Sequence, residues 1–223
     1  MMQARKPLPE KVSIEPVTPT HLPAYRRLIT LLLPIRYPDK FYQDSVAISG
    51  PSSLALCALW HEPAKPASNI VRPYPSSDRV VAGIQCCLES LPSATAPCKP
   101  GKTLYIQTLA TLAPYRSFGI ASALLDITIR TSITHYEDVE EVYAHVWEAN
   151  EEALEWYAKR GFVVEEQVVE EYYRKLSPSG ARLVRRRVGV GDHLRAKAGV
   201  VVEEEAEDMG TNAGIRIGES KNG

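Results

Sequence analysis

A chain of 223 residues, 44 % of them apolar, is long enough for one ordinary domain with tails, or at most two small domains. With 24 % charged residues and a formal net charge of −1, it carries no overall charge that would draw it to nucleic acid. Its four cysteines form no C-x-x-C pair, residues 1–10 lack a signal-peptide apolar segment, and no window nears the roughly 20 apolar residues of a membrane span. These features argue against a zinc ribbon, secretion and a membrane anchor. They lead us to expect a soluble protein of a reducing compartment, the cytoplasm by default, with Cys57, Cys86, Cys87 and Cys98 packed as small apolar groups.

Residues 1–11 read as a disordered lead, and Val12 to Val17 as a first strand. A hydroxyl cap at Thr18 and Pro19 in the first turn predict a helix whose apolar side is Leu22, Tyr25, Leu28, Ile29 and Leu32. Pro34 ends it, and residues 35–42 make an aromatic loop leading to a short turn or helix. Ser52 to Trp60 and Arg79 to Leu88 predict an antiparallel strand pair across a proline-rich loop insertion at 61–78. A second insertion, at 89–102, leads into a strand from Thr103 to Leu112.

The apolar stripe Ile120, Leu124 and Ile127 places a helix over 116–131. Glu141 to Trp147 alternates as a strand, and 150–160 is a helix capped by Asn150 and stopped by Gly161. Phe162 to Glu165 and Glu171 to Leu176 predict a closing hairpin. From 178 to 223 the chain reads as a mostly disordered charged tail, with arginines at 182, 185, 186 and 187 followed by an acidic run and a short helix near its start. The order implies an α/β fold with a mixed sheet and helices on both faces.

The junction after the strand 103–112 is chemically distinctive. Arg116-Ser117-Phe118-Gly119-Ile120-Ala121 sits between a strand and a helix, where unpaired N–H groups and the helix dipole favour an anion such as a pyrophosphate. Gly119 and Ala121 permit close backbone approach, and Arg116 can add a charge. The hexad is neither a Walker loop nor a G-x-G-x-x-G fingerprint.

This hexad resembles the Q/R-x-x-G-x-G/A signature of the GNAT acetyltransferase superfamily. Asn150 to Phe162 resembles that superfamily's N-x-x-A-x-x-x-Y-x-x-x-G-F segment. Within it, Leu33 to Tyr42, Leu104 to Leu109, Ala113 to Arg116, Tyr143 to Val146 and Glu171 to Leu176 resemble the N-alpha-acetyltransferase 50 family, the NatE catalytic subunits. The resemblance covers residues 12–177. It implies the GNAT fold, with about seven strands, and transfer of acetyl from acetyl-CoA to the α-amine of polypeptides that retain methionine before an apolar residue. It also implies work beside a NatA-type auxiliary scaffold and catalytic subunits at the ribosome, in the cytoplasm with the nucleus as a second location. A binding subunit of little activity, and a GNAT enzyme for lysine or a small amine, are the alternatives.

Such a transfer needs a base for the amine, donors for the developing oxyanion and an acid for the thiolate. The base candidates are Tyr105 and His145, on strands that should be neighbours; the resemblance implies that they act together through an ordered water. Tyr157 matches the usual position of the acid. The oxyanion donor is a backbone N–H of Leu112 or a near neighbour.

The resemblance extends the coenzyme contacts to Leu109, Thr111, Leu112, Arg116, Ser117, Phe118, Gly119, Ile120, Ala121, Ser122, Asn150 and Tyr157. It assigns the peptide to Leu33, Pro34, Ile35, Tyr37, Tyr105, Ile106, His145, Tyr172, Tyr173 and Leu176, and it implies no metal. Ser117 stands where a second basic residue is common. Ala121 stands where glycine is common, which is harmless only if that backbone does not need a positive φ.

Overall fold

An unbroken apolar run needs cover on both faces, whereas an alternating one needs it on one. Strand β2 (Ala55–Trp60) is such a run, buried over its first five residues. In the computed structural model, which describes residues 7–48, 50–62, 78–90, 101–136 and 138–198, it lies inside a seven-stranded sheet. The other strands are β1 (Val12–Pro16), β3 (Arg79–Ser90), β4 (Lys102–Thr111), β5 (Val139–Trp147), β6 (Val163–Val169) and β7 (Ala181–Arg187). Their order across the sheet is β1-β2-β3-β4-β5-β7-β6. Every junction is antiparallel except β4–β5, which is parallel. Segments 63–77 and 91–100 of the expected insertions, residues 1–6 of the lead, Cys98 and residues 199–223 of the tail lie outside the described residues.

Helices α1 (Leu22–Leu32) and α2 (Asp39–Ala47) cover one face, where Tyr25, Leu28, Ile29 and Phe41 pack on Cys57, Leu59, Val80 and Ala110. Helices α3 (Ile120–His135) and α4 (Glu151–Ala158) cover the other, where Ile120, Leu124, Ile129 and Tyr157 meet Leu56, Ile84, Leu104 and Val142. An 11-residue helix is marginal alone. Burying Tyr25, Leu28 and Ile29 contributes about 2 kcal/mol each, enough to hold α1 in place. Gly83 on β3 makes room for that packing, since a Cβ there would lie 2.4 Å from Tyr25 Cε2. No helix among the described residues is long and apolar enough to cross a membrane.

Three elements differ from expectation. Helix α1 begins at Leu22, with Pro23 in its first turn, and not at Thr18; the Thr18 carbonyl instead accepts the His21 and Leu22 N–H groups as a turn. The stretch 171–176 is no strand. It is part of the loop closing a hairpin whose second strand is β7, inserted between β5 and β6.

The charged tail therefore does not start at 178. Ala181 and Val184 are fully buried, and two arginines beside them are partnered. Arg185 pairs with Glu165 at 2.6 Å, while Arg186 lies over the Phe162 ring and pairs with Asp192 at 3.1 Å. Residues 190–198 form a helix that buries Asp192 and Ala196. The folded unit thus runs at least to 198.

Candidate active site

Parallel strands that part company expose backbone groups that must find other partners. Strands β4 and β5 pair only from Lys102–Val139 to Ile106–Ala144. Beyond that point β4 follows β3 to Thr111, and β5 follows β7 to Trp147, so a wedge opens between them. A bulge at Gln107, where the register steps from Thr108–Gln85 to Ile106–Cys86, starts the divergence. On each strand the first residue past the paired stretch has its carbonyl capped by a tyrosine hydroxyl: Tyr37 donates to Gln107 at 3.1 Å and Tyr173 to His145 at 3.1 Å. The Leu112 N–H is bonded to Val81 O of β3 at 2.9 Å. By strand alternation, Leu109 and Thr111 then present their backbone groups to the wedge. Of Leu112 and its near neighbours, the expected oxyanion donors, Leu112 has its N–H occupied on the far side, which leaves Thr111 and Leu109 on the wedge edge.

The mouth of the wedge meets the start of α3. A single 3₁₀ turn, 113–115, precedes Arg116, and Ser117 and Gly119 then adopt φ of 66° and 83°. The positive φ that raised concern for Ala121 falls on Ser117 instead, and Ala121 sits in ordinary helix. Gly119 is the N-cap residue, with no side-chain cap and no acidic residue in the first turn. The first intrahelical bond runs from Ala123 N–H to Gly119 O, so the N–H groups of Ile120, Ala121 and Ser122 have no helical partner.

An uncapped, acid-free start to a 16-residue helix, behind two left-handed residues, suits an anion. Arg116 stands at its rim, tied to Glu152 of α4 at 3.6 Å. Phe118 faces away and packs with Tyr115 around Trp60, pinning the loop to β2. The Ser122 hydroxyl is held by Arg160 of the α4 end at 2.6 Å. We expect Gly119→Ala to raise the KM for a coenzyme A substrate about tenfold, measured by initial rates, because alanine resists this φ; an unchanged KM would remove the loop from the site.

The face of the sheet beneath α1 and α2 carries a tyrosine–histidine cluster. Tyr105 of β4 stacks on Tyr143 of β5 at 4.7 Å. His145, two residues further along β5, stands edge-on to Tyr105 at 5.7 Å and stacks on Tyr172 at 4.4 Å. The Tyr105 and Tyr172 hydroxyls are 2.8 Å apart. Burial holds the Tyr105 phenol far above its ordinary value, and the Tyr172 hydroxyl adds to this. Burial lowers the His145 pKa, partly opposed by the Glu89 charge. His145 Nδ1 is buried and makes no hydrogen bond among the described residues. With its pKa below the ordinary imidazole value, the ring is neutral at neutral pH.

The loop 170–180 holds its two tyrosines by fixed contacts. Tyr173 N–H bonds to Ser179 O, Trp147 Nε1 to Pro178 O, and Gly180 N–H to Glu148 Oε1. Across the wedge, Tyr37 stacks on Phe41 at 4.1 Å. Leu33 is half-buried against the α1–α2 cluster, Ile35 and Leu176 are half-buried, and Pro34 is exposed. On the opposite face Tyr157 is buried beside Phe162 and Trp156, and burial raises its phenol's pKa. Asn150 caps α4 through Ala153 N–H.

Like Phe118, two further side chains expected at the site are elsewhere. Ile106 is buried in the α3–α4 core, away from the tyrosine cluster, because it alternates with Tyr105. The Ile120 side chain is likewise core, leaving only its N–H at the anion site. Conversely, Tyr143 and Glu89 belong to the cluster but were missed as site residues. The signal for Tyr143 was present, as it lies two residues before His145 on one strand. Among the described residues no group of His, Cys, Asp or Glu is arranged to hold a metal ion.

Residues 31–162 match a family model described as Acetyltransferase (GNAT) family. N-alpha-acetyltransferase 50 of Danio rerio is 27 % identical over 177 residues, covering 79 % of this chain and 88 % of that protein. The Drosophila melanogaster protein described as Probable N-acetyltransferase san is 26 % identical over 176 residues, covering 78 % and 80 %. The structure of Arabidopsis thaliana Naa50 in complex with the bisubstrate analogue CoA-Ac-MVNAL is similar at a TM-score of 0.59 and 29 % identity, covering 79 % of this chain and 98 % of that one.

Proposed function

The chain belongs to the acetyltransferase (GNAT) family, and from that premise we propose that it moves the acetyl group of acetyl-CoA to the free α-amine of a polypeptide N-terminus. The observation that carries the acceptor class is the pair of tyrosine walls, Tyr37 on one side of the wedge and Tyr172 and Tyr173 on the other, with Tyr105 and His145 between them. A tyrosine can hydrogen-bond an extended backbone while packing on its side chains, which suits a peptide entering by its end. The relatives named N-alpha-acetyltransferase 50 and Naa50 support the same acceptor, the latter through an analogue joining CoA to MVNAL. We take the preferred substrate to be a retained methionine followed by an apolar residue. Docking on a NatA-type scaffold with its catalytic subunit, at the ribosome in the cytoplasm, rests on the family resemblance.

The residues present fit acetyl-CoA as a bound substrate. The N–H groups at the start of α3, with Arg116, would take its pyrophosphate, and the wedge edge at Leu109 and Thr111 its amide-bearing arm. Bound there, it supplies an activated acetyl thioester. His145 is neutral at neutral pH and stands between Tyr105 and Tyr172, so it is the base. Tyr105 keeps its proton and orients a water or the amine. A wedge-side backbone N–H stabilises the oxyanion, and Tyr157 protonates the departing thiolate.

The test is turnover of acetyl-CoA with a set of N-terminal peptides, followed as free thiol. Met-Leu peptides should react fastest. Acetylation of lysine peptides with blocked N-termini, and none of free N-termini, would overturn the reading. Thermal stabilisation by acetyl-CoA without turnover would mark a binding subunit. Because burial lowers the His145 pKa, kcat/KM should fall on the acid side with a midpoint below the ordinary imidazole value of about 6.5.

A further inference from the structure

Strand β3 ends on the face that carries the tyrosine cluster. Cys87 pairs with Tyr105 and Glu89 with Thr103 in register, so both β3 side chains project beside Tyr105. Glu89 is exposed to solvent, yet its carboxylate accepts the Tyr143 hydroxyl at 2.5 Å. Tyr143 in turn lies face to face with Tyr105, with rings only 17° from parallel, and edge-on to His145 at 5.8 Å. One carboxylate thus holds the ring that touches both members of the candidate acid–base pair. Pairing a solvent-facing tyrosine to an anion leaves its hydroxyl a single strong partner and fixes its rotamer.

We infer that Glu89 is a positioning residue for the Tyr105–His145 pair: through Tyr143 it fixes the surface on which Tyr105 stacks, and its carboxylate keeps an anion near the imidazole. This rests on the acetyl-transfer reading for its catalytic consequence, though not for its electrostatic one. The groups facing His145 are Tyr105 from β4, Tyr143 from β5, and Tyr172 and Tyr173 from the 170–180 loop. Beyond this ring of phenols lie Cys87 and Glu89 on β3, and on β7 Arg185, opposite Tyr143 and paired with Glu165. The phenols of Tyr105, Tyr143 and Tyr173 are neutral, since burial holds them well above their usual range. Glu89 is the charge that acts on the imidazole, and it acts against burial by favouring the protonated form.

The sign follows directly. Removing the anion makes His145 a weaker base that stays neutral to lower pH. In Glu89→Gln the imidazole titration of His145, read by proton–carbon NMR without substrates and assigned by its loss in His145→Gln, should move down by about half a pH unit. The acid limb of kcat/KM should move with it, and the plateau kcat should fall roughly threefold while the KM for acetyl-CoA holds. Glu89→Asp should restore the titration. Tyr143→Phe, which keeps the charge and loses the hydrogen bond, should lower kcat with little movement of the titration. An unmoved His145 titration in Glu89→Gln, or an effect confined to peptide KM, would overturn the inference. If the wild-type protein transfers no acetyl group, the acetyl-transfer reading fails, and the NMR arm still decides whether Glu89 sets the charge state of His145.

Discussion

His145→Ala is expected to lower kcat by about 10²–10³-fold and leave the KM for acetyl-CoA within about twofold. The imidazole is the group at the wedge able to take a proton at neutral pH, since burial drives the surrounding phenols the other way. It touches the peptide face and not the anion loop, so coenzyme binding should not register its loss. Tyr105→Phe should cost about 10–100-fold, because the hydroxyl bonded to Tyr172 orients without accepting the proton. The two should combine to less than the product of the single effects, as expected of groups serving one proton transfer. Stopped-flow or steady-state thiol release in all four forms gives the cycle. Strict additivity, or a His145→Ala enzyme with near-normal kcat, would mean that another residue is the base.

The second large effect is on stability and tests where the domain ends. Asp192 is buried, and its carboxylate accepts from the Gly189 N–H at 3.0 Å, from Arg195 at 2.6 Å and from Arg186 at 3.1 Å. Burial opposes the charge, but these donors outweigh it and hold the pKa below the usual carboxylate value. Asp192→Ala strands Arg186 between β7 and the 190–198 helix, and should destabilise the fold by about 3 kcal/mol in urea titration. A carboxylate with a depressed folded pKa contributes fully above its unfolded value of about 3.9, and its contribution fades as pH falls through the folded value. Wild type and variant should therefore differ at pH 7 and converge in strong acid. A neutral Asp192→Ala would return these residues to a dispensable tail.

That residues past 178 fold at all was hidden in the sequence for an electrostatic reason. Strand β7 reads as a charge run because its neutralising partners lie outside it: Glu165 on β6 and Asp192 in the helix that follows. By contrast, α3 and β4 carry their evidence locally, in a 3.6-residue stripe and a period-two strand, and so were legible. Tyr105, His145 and Tyr157 could be named from motif and order, but not what surrounds them. The donor role of Leu112 depended on which edge of β4 each N–H faces, and a bulge at Gln107 resets that count. The strained position shifted from Ala121 to Ser117 because the turn preceding α3, not the helix, carries the left-handed backbone. Glu89 carried no motif; only the register of β3 on β4 sets it beside Tyr143.

The two tyrosine hydroxyls on Gln107 O and His145 O bear on how a ligand arrives. A slot whose first freed carbonyls were bare would tend to zip shut, and an incoming molecule would have to wait for a rare open form. Here the tyrosine contacts cap those carbonyls before any ligand is present, which favours a slot already open for binding. We therefore expect entry to be a bimolecular docking without a preceding isomerisation, with Arg116 yielding its contact to Thr111 O as an arm is laid in the slot.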